Sequence, residues 1–145
     1  QRLKELEWMV GDWVDEGADS VVITSCHWTK NKNFLLRTFT VKIAGRDAME
    51  GTSRIGWDPL TKKIKSWTFD DNGGYAEGLW TRDGDRWIVK STGVLRTGET
   101  ASATNVFTYI DDNTCTWQSV DRIVGGVLTP NIEELTVVRQ PPKPE

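Results

Sequence analysis

The sequence is poor in the residues that most often bind metals or build covalent frameworks. Its 145 residues include one histidine and two cysteines, and no CxxC pair occurs. Because a structural zinc site needs about four such ligands, we expect no bound metal. Cys26 and Cys115 are far apart in sequence and do not indicate a disulfide framework. We expect two buried thiols that behave as small hydrophobic side chains.

Other features are missing too, and each absence excludes a class of protein. No apolar run approaches the ~20 residues that a membrane-spanning helix needs, and no signal-peptide pattern is present. The net charge is −3, from 18 basic and 21 acidic residues, without a basic stripe of interleaved aromatic residues. We therefore expect a soluble domain with neither a membrane nor a nucleic acid as partner. Since the chain begins with Gln1, we expect a piece of a longer protein, exported if an upstream signal peptide has been removed.

The common catalytic motifs are absent as well. The sequence has no Gly-x-Ser-x-Gly, HExxH or paired-Asp metal pattern. The glycine pairs within residues 72–74 and 124–126 are typical of β-hairpins, and no helix follows them as in a phosphate-binding loop. His27 is a candidate general base, but a lone strand histidine is more often a surface or hydrogen-bonded residue.

Regularly spaced turn signals are what the sequence has in abundance. Leucines at helical spacing predict a short helix over residues 2–9, ending at Gly11. Beyond it, turn signals recur every 8–12 residues or so, which indicates an antiparallel all-β sandwich or barrel. Ten consecutive strands with tight turns favour an up-and-down β-barrel, because closure removes exposed edges. We predict the first strand over residues 12–16, ending at Gly17, and the others over 20–29, 34–43, 49–57, 63–69, 75–82, 86–95, 100–110, 114–123 and 133–139.

We expect one domain over residues 1–140 and a proline-rich tail over 141–145, because proline cannot donate to a strand ladder. The opening segment LEWMVGDW, a short helix running into Gly-x-Trp, resembles the start of lipocalin-like (calycin) barrels. The stretch 56–87, with ASATNVFTYIDDNTCTWQSVDR and LTPNIEELTVVR, is similar to the lipocalin-like domain that follows a SnoaL-like domain in some bacterial proteins. This resemblance covers nearly the whole chain. It implies a lipocalin-like fold, with a neighbouring SnoaL-like domain or a second copy of the chain as partner, and it supplies no catalytic motif.

Nitrobindin-like haem barrels also open with a leucine-rich segment and Gly-x-Trp. They are known for an axial histidine late in the barrel, whereas the late strands predicted here contain none. His27, in the second strand, is the only histidine of the chain. A haem iron needs an axial ligand from within its pocket, so we expect neither haem nor any other cofactor.

Side-chain alternation predicts which residues face the barrel interior. The third strand places Arg37 on a face that is otherwise apolar, and the eighth strand places Asn105 beside alanine and aromatic residues. A buried arginine must be paired, because an isolated buried charge is very costly. We therefore expect Arg37 to contact a carboxylate from Glu50, Glu77 or Glu134. The other face of the eighth strand is predicted to be exposed, and it consists of Thr100, Ser102, Thr104, Val106 and Thr108.

Eight tryptophans occur, four of them near turns between residues 56 and 87. Their indoles either fill a core and plug strand ends or form a stacking wall for a ligand. The candidate ligand-binding residues are Arg37, Trp57, Trp67, Glu77, Trp80, Asn105, Tyr109 and Gln118. They predict a barrel that binds a small hydrophobic or aromatic ligand. A solidly packed accessory or oligomerisation domain, and an enzyme that uses an inward polar cluster, are the alternatives.

Overall fold

Period-two alternation and tight turns fold the chain into one antiparallel sheet that closes on itself. The computed structural model describes residues 2–16 and 20–144. Strand β9 pairs with β8 and β11, and β11 pairs with β1, so the predicted ten-stranded all-β barrel is confirmed. The turn predicted at Gly17 lies outside the described residues. The strands are β1 (Gly11–Glu16), β2 (Ser20–Trp28), β3 (Phe34–Ile43), β4 (Arg46–Asp58), β5 (Lys63–Asp70), β6 (Tyr75–Asp83), β7 (Arg86–Val94), β8 (Thr100–Asp111), β9 (Thr114–Val124), β10 (Val127–Leu128) and β11 (Ile132–Arg139).

The strand bounds agree with the prediction within one residue except at the start of β4, and one short strand was not predicted. Strand β4 begins at Arg46 because Ala44 and Gly45, with φ of 53° and 77°, form a two-residue turn with positive φ at both positions. The two-residue strand β10 was not predicted. It pairs with the end of β9 and leads into β11, so ten strand positions still surround the barrel.

A short N-terminal helix covers one end of the barrel, which we call the closed end. It is a 3₁₀ helix over Arg2–Met9, where the leucine spacing predicts a helix. Leu3, Leu6 and Met9 are buried against Leu35, Trp80 and other core residues contributed by the strands. The helix therefore contributes apolar side chains to the barrel core as well as covering its end. No helix in the described residues is long and apolar enough to cross a membrane.

The last strand fastens this helix to the barrel. The guanidinium of Arg139 donates hydrogen bonds to the carbonyl oxygens of Val10 and Trp8, the latter at 2.9 Å. Its Cζ lies 4.3 Å from the ring centroid of Trp13. Trp13 in turn donates from Nε1 to the carbonyl of Met9 at 2.9 Å. These bonds satisfy carbonyl oxygens that a helix end leaves without partners.

Gly11 lets the chain pass close to that arginine. Its φ is +127°, a conformation that side-chain-bearing residues rarely adopt. A Cβ atom at this position would collide with Nη1 of Arg139. The Gly-x-Trp motif thus has a local physical reason, because the glycine admits the guanidinium that stacks on Trp13.

Candidate functional site

The barrel encloses a cavity of about 400 Å³. This volume lies in the range of small-molecule sites, which are mostly apolar with a few placed polar groups. Every strand except the short β10 contributes to its wall, and Trp8 and Met9 of the helix line it as well. The other lining residues are Trp13, Asp15, Val22, Thr24, Cys26, Arg37, Phe39, Val41, Ser53, Ile55, Ser66, Thr68, Trp80, Val89, Ser91, Asn105, Phe107, Cys115, Trp117 and Val137.

An aromatic stack forms part of the wall. The rings of Trp80 and Phe107 are parallel within 3°, with centroids 5.4 Å apart. Trp87 contacts Trp80 edge-on at 6.3 Å, and Trp80 Nε1 donates a 3.0 Å hydrogen bond to Ser66 Oγ. Because its polar atom is already bonded, the indole presents an apolar surface to the cavity.

Small hydroxyl side chains occupy neighbouring positions on the wall. Ser53 Oγ and Thr68 Oγ1 are 2.7 Å apart, and Asn105 Nδ2 donates to Ser91 Oγ at 3.4 Å. In the described part of the chain, every buried side-chain nitrogen or oxygen has a hydrogen-bond partner. These groups therefore need no ligand for their own satisfaction, and their small size leaves space open.

Arg37 is the one cationic side chain among the described residues that line the cavity. It lies in the middle of β3, between Cys26 and Ser53 in register. Its Cζ is 5.9 Å from the ring centroid of Phe107. Burial lowers the pKa of its guanidinium, and interaction with the two cysteines opposes that shift. The charge thus faces the enclosed space from an apolar wall.

The two cysteines beside it do not neutralise that charge. Cys26 and Cys115 are both free and buried, as predicted. Burial raises the pKa of each thiol to about 11, although nearby Arg37 acts to lower it. Both groups are therefore uncharged thiols at pH 7.

Asp15 is the one anionic residue among the described residues of the wall. It is 6% exposed, and burial raises the pKa of its carboxyl group. Asp15 pairs with Val22 on β2, whereas Arg37 pairs with Cys26 of that strand. Val22 and Cys26 are four residues apart on β2, which corresponds to about 13 Å at roughly 3.3 Å per residue. Asp15 and Arg37 therefore form no ion pair.

The predicted residues divide between the two faces of the barrel. Arg37, Trp80 and Asn105 line the cavity. The expectation that Arg37 contacts a carboxylate was wrong, since no ion pair joins it to any described residue. Glu77 lies on the outer face and pairs with Lys65 at 3.6 Å. Glu50 and Glu134, the other proposed partners, are exposed.

The four other candidate residues also lie outside the cavity wall. Trp57 packs against the core at the closed end, beneath the guanidinium of Arg2 at 5.1 Å. Trp67 lies on the outer face, because its neighbours in β5 point inward. Tyr109 donates from its hydroxyl to Asp112 Oδ1 at 2.9 Å, and its ring contacts Trp8. Gln118 points outward, between the inward-facing residues 117 and 119.

Sequence reasoning missed other members of the wall. Asp15, Cys115 and Trp117 line the cavity but were not candidates. Alternation along β9, once Gln118 is placed outside, would have found the last two. Val106 was expected to be exposed with its face of β8, yet it is buried, between Ile88 and Gln118 in register.

The described residues contain no group of three or more histidine, cysteine or carboxylate side chains placed to hold a metal ion. No protein-family model matches the chain, and no curated protein is significantly similar to it. The resemblance to lipocalin-like domains beside SnoaL-like domains therefore stays a prediction.

Proposed function

We propose that this barrel binds a small hydrophobic or aromatic molecule in its cavity. The observation that carries the proposal is the space of about 400 Å³ that remains between the apolar walls. Burial of apolar surface supplies the main driving force for such binding, and a few polar groups orient the ligand.

The small side chains on the cavity wall favour a ligand site over the alternative of a solidly packed accessory domain. Ser53, Ser66 and Ser91 occupy inward positions on β4, β5 and β7, three of the four neighbouring strands from β4 to β7. Larger aliphatic side chains there would fill the interior and increase stability. Serines leave the volume open and pair their hydroxyls with neighbours.

A neutral fluorescent probe tests the proposal without any contribution from charge. N-phenyl-1-naphthylamine fluoresces more strongly and at shorter wavelength in an apolar site, so titration of the full chain should give a saturable increase. Val41→Trp should abolish the increase, because residue 41 lines the cavity and an indole there occupies the free space. Thr40→Trp is the matched control, since it adds the same indole on the opposite face of β3.

Circular dichroism and thermal melts establish that both variants fold. If Val41→Trp does not fold, Val22→Phe replaces it as the cavity-filling variant. Equal probe binding by the wild type, the cavity-filling variant and Thr40→Trp would contradict an internal site. The absence of saturable binding of this probe and of every ligand named below would contradict the proposed function itself.

A further inference from the structure

The unpaired charge of Arg37 indicates what kind of molecule the cavity accepts. An isolated charge is costly to bury, and proteins normally pair it or give it hydrogen bonds. No described residue forms an ion pair with Arg37, and the thiols beside it are neutral at pH 7. The half-buried guanidinium therefore offers an unneutralised positive charge to an anionic group in the cavity.

The guanidinium favours a carboxylate among the possible anions. Its planar fork matches the two oxygens of a carboxylate with two parallel hydrogen bonds. Because Arg37 is the only cation among the described lining residues, a singly charged group is balanced, whereas a dianionic phosphate is not. The Phe107 ring beside the guanidinium excludes water from one side of the pair and strengthens it.

An apolar path leads away from Arg37 along the wall. Phe39 and Val41 follow it on the inner face of β3. Val41 pairs with Val22, and Val22 pairs with Asp15. A ligand that extends from Arg37 by about 13 Å, four residues of strand, therefore passes apolar side chains and reaches the level of Asp15.

Asp15 makes the far end of this path unfavourable for a second negative group. Its carboxyl group is buried, lines the cavity and has no ion-pair partner among the described residues. Two carboxylates that share a low-dielectric site repel each other strongly. A ligand with an acid group at both ends is therefore disfavoured.

We propose that the cavity binds a monocarboxylate with an apolar body, whose carboxylate pairs with Arg37 and whose other end lies near Asp15. This inference rests on the proposed function and narrows it to one ligand class. It also assigns Asp15 as the residue that discriminates against dicarboxylates.

Isothermal titration calorimetry of the full chain with three matched ligands tests the proposal. The ligands are decanoate, decan-1-ol and decanedioate, each below its aggregation concentration at pH 7. We expect decanoate to bind at least about tenfold more tightly than decan-1-ol, a difference of one charge-assisted pair. Decanedioate should bind at least about tenfold more weakly than decanoate.

Variants assign each preference to its residue. Arg37→Gln should reduce decanoate affinity to about that of decan-1-ol, so that the ratio of the two affinities falls to about one. Arg54→Gln is the matched control, because Arg54 is exposed on the outer face and its Cζ lies 5.6 Å from the Phe34 ring. Asp15→Asn should bring the affinity for decanedioate to within a few-fold of that for decanoate.

The outcomes separate this inference from the proposed function. Equal wild-type affinity for decanoate and decan-1-ol overturns the carboxylate assignment but retains a binding cavity. Tighter decanoate binding that survives in Arg37→Gln overturns the role of Arg37, and an unchanged affinity of Asp15→Asn for decanedioate overturns that of Asp15. If Arg37→Gln does not fold, the ratio of wild-type affinities for decanoate and decan-1-ol decides the ligand class.

Discussion

Two inward-facing charges of opposite sign distinguish this interior at the scale of single residues. Arg37 and Asp15 both line the cavity, and neither forms an ion pair with any described residue. Retaining such groups costs stability, and ligand sites are where proteins commonly tolerate that cost. Neutral substitutions of Arg37 should therefore raise stability and weaken carboxylate binding, whereas Asp15→Asn should raise stability and relax the discrimination against dicarboxylates.

Arg37→Met is expected to stabilise the ligand-free barrel. Removing an unpaired charge and keeping apolar bulk should raise the free energy of unfolding by roughly 0.5–2 kcal/mol. Urea unfolding measures the change, with Arg54→Met as the control for an exposed arginine on the neighbouring strand. A lower free energy of unfolding for Arg37→Met would mean that Arg37 has a stabilising partner in the empty protein.

Asp15→Asn is expected to raise the melting temperature at pH 7 but not at pH 3. Burial raises the pKa of Asp15 from 3.8, so the folded state disfavours the ionised form. Its effect on stability is absent below the unfolded-state pKa and becomes unfavourable as pH rises through the folded-state pKa. Thermal melts at pH 3 and pH 7 measure the change in melting temperature, with Asp12→Asn as the exposed control. An equal gain at pH 3 would point to a cause other than ionisation.

At the scale of elements, Arg139 attaches the N-terminal helix to β11. Arg139→Met removes the donors to the carbonyls of Trp8 and Val10, and to that of Asp112 at 2.8 Å. Hydrogen bonds from a charged donor contribute about 1.5–3 kcal/mol each. We therefore expect a loss of at least about 3 kcal/mol in the free energy of unfolding, measured by urea denaturation.

Arg82 supplies the control for that substitution, because it contacts the same helix from the surface. Its Nη1 lies 2.7 Å from Glu5 Oε1, and both side chains are close to half exposed. Surface ion pairs contribute about 0–1 kcal/mol, so Arg82→Gln should have little effect. Similar losses for the two variants would contradict a special role for Arg139.

Most element bounds follow from turn chemistry, whereas the facing of large side chains depends on strict alternation. Trp67 was a candidate because it is a tryptophan near a turn. Its neighbours Ser66 and Thr68 point inward, so the pleat of β5 puts the indole outside. In β9, Asp121 has a φ of 51° and lies where the pairing with β8 shifts register, between Val120 and Ile123. Such irregularities leave no distinct signal in the amino-acid pattern.

At the scale of the whole molecule, closure of the sheet leaves few free edges. Strand β9 is bonded on both sides, to β8 and to β11. In hydrogen–deuterium exchange we expect the amides of β8, β9 and β11 to be protected as well as those of β4 and β5. The two residues of β10 should exchange fastest among the strands. Rapid exchange along all of β8 would indicate an open sheet.

The fold was predictable as a whole because ten strands and their turns repeat one simple pattern. The cavity was predictable only in part. Arg37 and Asn105 were predicted correctly because the other residues on the same face of each strand are mostly apolar. Cys115 was missed although alternation along β9 would have found it. Asp15 was missed because its place in the wall depends on the register between β1 and β11. That register joins distant parts of the chain and is not written locally in the sequence.

The contact between Arg139 and the helix also sets an order of events when a ribosome makes this chain. The residues that cap the barrel come first, and the residue that holds them comes about 130 positions later. Strand β1 likewise pairs with β11, which is synthesised only near the end of the domain. The nascent domain therefore exposes two unpaired sheet edges for most of its synthesis and becomes a closed barrel only in the final step. Such late, non-local closure slows folding and leaves the unfinished chain prone to aggregation.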